Sequence, residues 1–185
     1  MKKKKRNRYF ALFCLFLFSL IVIQYYRIDN EETVDRTSLA IYENAHVRFS
    51  YPGNWKVTED VGEGTLHFIT INSPGNAFLI IQIYAQQDFI PLQQFAEQFS
   101  EFVQREDTSS MMSDSSFSDF EEGGRYGVQE NFLSKALWFQ LPHIRRYYSV
   151  TDNDKTAYLI SQAATADLSR VEAGFDLILN SLLLK

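Results

Sequence analysis

Four consecutive residues, Arg145-Arg146-Tyr147-Tyr148, are the best equipped for recognition chemistry in this chain. In a strand, alternation sends Arg145 and Tyr147 to one face and Arg146 and Tyr148 to the other. Guanidinium groups beside aromatic rings are favoured at interface hot spots, which makes the run a candidate protein-contact patch. The plainer alternative lays the Arg stems over neighbouring rings within the fold. Met111 and Met112 fall in a Ser-rich stretch, 108–116, that reads as a loop. An exposed Met pair would offer a soft contact surface; otherwise the stretch is an ordinary loop.

The rest of the chemical inventory is thin. There is no glycine-rich phosphate loop, H-E-x-x-H or G-x-S-x-G. The sole cysteine, Cys14, lies in an apolar block with Phe13 before it, so neither a cysteine nucleophile, an intramolecular disulfide nor a lipoprotein site is expected. His46, His67 and His143 stand singly, without the spacing of metal ligands. Asp152-x-Asp154 resembles the start of a calcium loop, but the sixth position is Ala157 and the twelfth Ala163, so these acids read as hairpin-turn residues. The expectation is a chain without catalytic, cofactor-binding or metal-binding residues, and without a cofactor. It is not expected to be an enzyme.

The elements that must position these residues fit one domain and an N-terminal appendage within 185 residues. Phe49-Ser50-Tyr51-Pro52-Gly53-Asn54-Trp55-Lys56-Val57 reads as strand, turn and strand, with Gly53 and Asn54 tolerating positive φ. Residues 65–72 read as a strand, and 77–85, apolar on both faces, as a central strand covered on both sides. Leu92, Phe95, Phe99, Phe102 and Val103 form one stripe of an amphipathic helix opened by Pro91. Two hairpins follow, 117–120 with 125–133 around Glu121-Glu122-Gly123-Gly124, and 143–151 with 156–163. A closing helix carries Leu168, Val171, Phe175, Ile178 and Leu182 along one side. Asp167 or Ser169 is its expected cap, Ser169 and Glu172 have capping-box spacing, and Gly174 suggests close approach to the sheet.

Charge divides the chain. Six of its 18 basic residues precede residue 9 and no acid precedes Asp29, which leaves 12 basic against 23 acidic residues from Arg27 onward, a net −11. So acidic a body is a poor nucleic-acid binder, and none is expected as partner. Behind the basic run, residues 9–26 are apolar with tyrosines at both ends. These 18 residues make about 27 Å of helix, enough to cross a bilayer core. The basic cluster places the N-terminus on the cytoplasmic side. Gln24-Tyr25-Tyr26-Arg27 offers no A-x-A-like site, so an uncleaved signal-anchor is expected, a cleaved signal peptide being the alternative. The expected layout is a cytoplasmic tail and transmembrane anchor at 1–28, a linker at 29–40 and an extracytoplasmic domain at 41–185.

Phe49–Val57, the helix from Pro91, Arg145-Arg146-Tyr147-Tyr148-Ser149-Val150, Ala157-Tyr158-Leu159-Ile160-Ser161-Gln162-Ala163 and the closing Gly174-Phe175-Asp176-Leu177-Ile178-Leu179-Asn180-Ser181-Leu182, in that order, resemble the PsbP/Mog1-like proteins. The membrane-anchored layout is similar to the bacterial DcrB-like group of the same fold. The resemblance implies an α+β fold, a three-layer α/β/α sandwich around a central antiparallel sheet, here preceded by one N-terminal transmembrane helix. It also implies a non-catalytic accessory or adaptor protein, binding another envelope or membrane-complex protein at the bacterial inner membrane. The metal-associated residues of the photosystem members have no matching motif. The competing class is a small-ligand-binding or hydrolytic domain with a cleft lined by Tyr and Trp.

Overall fold

The computed structural model describes residues 31–63, 66–85, 89–106, 111–136, 139–152 and 154–185. In chain order the elements are β1 (Leu39–Glu43), β2 (Val47–Pro52), β3 (Lys56–Glu63), β4 (Leu66–Asn72), β5 (Phe78–Ala85), α1 (Leu92–Glu106), β6 (Met111–Glu122), β7 (Arg125–Ala136), β8 (Phe139–Thr151), β9 (Lys155–Ala164), α2 (Leu168–Ser181) and β10 (Leu183–Leu184). Seven strands form an antiparallel sheet in the order β3-β4-β5-β9-β8-β7-β6; β1, β2 and β10 form a second, three-stranded one.

The large sheet carries an apolar cluster on each face, as the doubly apolar β5 requires. Leu79, Ile81 and Ile83 join Val171, Phe175 and Ile178 of α2 and Val47 and Phe49 of β2 on one side. Ile80 and Tyr84 join Leu92, Phe95 and Ala96 of α1 on the other. The fold is α+β with antiparallel sheets, and the α2 layer contains the small sheet as well as the helix.

Pro52-Gly53-Asn54 is a corner and not a hairpin, because β2 and β3 belong to different sheets. The Trp55 amide closes the turn on the Pro52 carbonyl at 3.0 Å. Positive φ is not used there; among the described glycines it occurs at Gly123 and Gly124, in the tight β6–β7 hairpin. Gly53 instead makes room for Ser38, whose carbonyl takes its amide at 2.7 Å. Gly174 does the same for Trp55 and Pro52: a Cβ would lie 2.6 Å from the indole and 3.1 Å from the Pro52 ring, so α2 approaches the end of β2 and the corner closely.

Several expectations are corrected. The stretch 29–40 is not a free linker: from Glu31 onward it is hydrogen-bonded to the domain, and Leu39 and Ala40 belong to β1. Met111 and Met112 lie in β6, not in a loop, with a bulge between Ser113 and Ser116 where Asp114 adopts φ 57°. Helix α2 begins at Leu168, with Asp167 in the cap position but no side-chain capping bond; Ser169 lies inside the helix, and Glu172 reaches Arg146 instead. The helix ends at Ser181 with Leu182 in the C-cap position, and Leu183–Leu184 form β10, which pairs with β2. Among the described residues no helix is long and apolar enough to cross a membrane, and the expected tail and span at 1–28 lie outside them.

Candidate functional site

Strand β8 divides the arginine–tyrosine run as alternation requires. Arg145 and Tyr147 point toward α1, and both are buried. Arg145 donates to Glu130 at 2.9 Å and to Gln162 through Nε and Nη2 at 2.9 and 2.6 Å, while Nη2 also reaches the Met112 sulfur at 3.7 Å. The guanidinium lies 4.8 Å from the Phe132 ring centroid and 5.3 Å from that of Phe99. Glu130 also accepts from Ser100, Ser115 and Tyr147, at 2.5, 2.5 and 2.7 Å. The pair thus satisfies itself internally, as two buried charges must. Burial pushes the Tyr147 hydroxyl well above its ordinary value.

On the opposite face Arg146 bridges Glu122 of β6 and Glu172 of α2, at 2.9 and 2.7 Å. Burial opposes its charge, but the two carboxylates outweigh that and raise its pKa. Tyr148 donates to Glu122 at 3.2 Å, and burial raises its pKa too. The four-residue run is therefore interior. It ties β6, β7, β9 and α2 together, and its burial leaves little for a partner to touch. Met112 is half-buried, with its sulfur turned toward Arg145.

The accessible aromatic surface lies elsewhere, beside α1. That helix packs on β7 and β8. Between it and the β4–β5 side of the sheet is an open groove of about 310 Å³, lined by Phe68, Tyr84, Ile90, Phe99, Phe102 and Tyr158, with Gln82 and Gln98 the polar contributors. Its hydroxyls are already engaged. Tyr158 accepts from the Ile90 amide at 3.0 Å and donates to its carbonyl at 2.5 Å; Tyr84 donates to Gln82 at 3.0 Å. Phe102, expected on the core stripe, is 55% exposed and forms the rim.

A second cleft, about 390 Å³, opens where His46, His67, Tyr84 and Lys155 meet. The two imidazoles lie 4.4 Å apart between centroids. Asp60 takes hydrogen bonds from His67 and Tyr42. Burial works against its ionisation, yet Tyr42, Asn44 and His67 together hold its carboxyl below the ordinary range. Burial and the adjacent His67 ring lower the His46 pKa. Among the described residues no group of three or more His, Cys, Asp or Glu is placed to hold a metal.

Neither opening was singled out by a motif. The exposed end of the α1 stripe was visible only as periodicity, and the histidines are 21 residues apart in sequence. No protein-family profile matches the chain, and no curated protein does. Among solved structures it is similar to cyanobacterial PsbP (CyanoP) from Synechocystis sp. PCC 6803, at 14% identity and a TM-score of 0.52, over 80% of this chain and 93% of that one. The chain has a PsbP-like fold. Lesser similarities are to LpqN, involved in cell envelope biogenesis of Mycobacterium tuberculosis (10% identity, TM-score 0.44, 80% and 91% covered), and to a protein of Bacteroides thetaiotaomicron VPI-5482 (10%, 0.32, 84% and 49%). In this PsbP-like fold the expected aromatic–Tyr-Pro turn and Trp55 belong to the packing against α2, and Trp55 lines neither opening.

Proposed function

We propose that the chain is a non-catalytic accessory or adaptor protein, tethered to the bacterial inner membrane by a single span at 9–26. Its α/β/α domain faces the extracytoplasmic side and binds another envelope protein through the groove beside α1. The observation that carries this reading is the groove's character: open, aromatic, rimmed by exposed Phe102, with its tyrosine hydroxyls already bonded within the chain. Such a surface suits an apolar side chain of a partner segment better than a small polar ligand, which needs free converging polar groups. The basic cluster before the apolar block supports the tether and its orientation. Co-purification from native membranes tests it: a protein recovered with the wild type and lost with Phe102→Asp is expected, and equal recovery with both contradicts the groove as the contact.

The His46–His67 cleft favours a second reading, a ligand-binding or hydrolytic site, because a carboxylate-bonded imidazole stands at its edge. A turnover or ligand-induced rise in melting temperature lost in His67→Gln would support it.

A further inference from the structure

The stretch 31–38 is fastened to the domain at several points. Glu31 is buried and accepts the amides of Asn76 and Ala77 at 2.7 and 3.0 Å, capping the β4–β5 turn. Arg170, in the first turn of α2, donates to the Glu31 carbonyl at 3.4 Å and accepts the Val34 amide at 3.2 Å through its own carbonyl. Asn54, in the β2–β3 corner, donates to the Thr33 carbonyl at 3.1 Å and accepts the Asp35 amide at 3.2 Å. Three separate elements hold one short segment, and Val34 packs against the core. Freeing it would take the Glu31 carboxylate from the Asn76 and Ala77 amides and uncover the core beneath Val34.

Four residues separate Tyr26 from Glu31, and the five backbone steps between the two span at most about 18 Å when fully extended. We infer that residues 31–38 are a clasp that presses the domain onto the bilayer in one orientation, its β4–β5 turn, β2–β3 corner and start of α2 facing the lipid headgroups. This rests on the proposed membrane span. Strand β5 then runs away from the membrane: it starts beside Ala77 at the clasp, and its eight residues cover about 27 Å. The His46–His67 cleft lies at its far end, whereas the groove runs from Tyr84, near that end, back to Phe99, which packs on Arg145 at the level of Phe78.

The test uses the full chain reconstituted in vesicles, with Cys14→Ser and a single donor-labelled cysteine at Pro74→Cys (near end) or Asp154→Cys (far end), and acceptor-labelled lipid headgroups. Energy transfer at least twofold higher from position 74 than from 154 is expected. A twelve-residue Gly-Ser insertion between Asn30 and Glu31 should bring that ratio close to one. Equal transfer from both positions in protein that floats with the vesicles overturns the clasp while leaving the span intact. Failure to float overturns the span, and the inference with it.

Discussion

Helices α1 and α2 cover opposite faces of the same sheet with similar apolar stripes, yet only one of them is fully covered. In α2, Val171, Phe175, Ile178 and Leu179 are all buried, because β1, β2 and β10 close over the layer and Trp55 packs on Gly174 and edge-on to Phe175. In α1, Leu92, Phe95 and Ala96 are buried, but the stripe runs past its support and leaves Phe102 in solvent. Fully burying a side chain of that size is worth about 1.5–3 kcal/mol, and with Phe102 55% exposed roughly half of that remains available to whatever covers it. Periodicity therefore tells which side of a helix is apolar; what lies opposite decides whether that side becomes core or contact surface.

The difference can be broken most severely at the sealed part of the α1 face. Arg145→Met leaves Glu130 charged and buried without its partner, and should lower unfolding free energy by about 3–5 kcal/mol in urea titration. On the α2 face, Gly174→Val drives two methyl groups toward the Trp55 ring. A loss of about 1–3 kcal/mol is expected by the same measurement, despite the better helix propensity of Val. Phe102→Ser should sharpen the contrast, changing stability by no more than about 0.5 kcal/mol while abolishing partner recovery.

The smallest expected effect concerns pH. Burial and the His67 ring hold His46 below its ordinary value of 6.5, so the unfolded chain binds more protons there than the folded one. Stability from this group is complete above pH 6.5 and falls as the solution becomes more acid. His143, half-buried and stacked on Phe132, is lowered by burial and contributes with the same sign. Asp60, held low, adds its loss only near and below its ordinary 3.8. The melting temperature should drop modestly between pH 7.5 and 5.5, and His46→Gln should flatten that slope. Because His46 leads into β2 and Asp60 is bonded to Tyr42 of β1, acid should loosen the three-stranded sheet of the α2 layer first.

Strand and helix order was legible because alternation and 3.6-residue periodicity are local. Alternation also placed Arg145 and Arg146 on opposite faces correctly. What remained hidden was set by distant residues. Glu130, fifteen positions from Arg145, turned a candidate patch into an internal ion pair. The polar composition of 29–40 read as linker, although Glu31 finds its amides 45 residues away. Gly53 looked like a conformational device, while its role is set by Ser38 lying over it. The groove was illegible for the same reason, since Phe68, Tyr84, Phe102 and Tyr158 converge from four elements.

The most direct test of the adaptor reading is site-specific photo-cross-linking in native membranes, with a benzophenone side chain at Phe102 compared with one at Tyr126, an exposed aromatic near the β6–β7 turn that does not line the groove. The account expects a discrete protein adduct from position 102, absent from position 126 and lost on adding Gln98→Lys. The same adduct from both positions, or none from 102 in protein that is folded and membrane-bound, would contradict it.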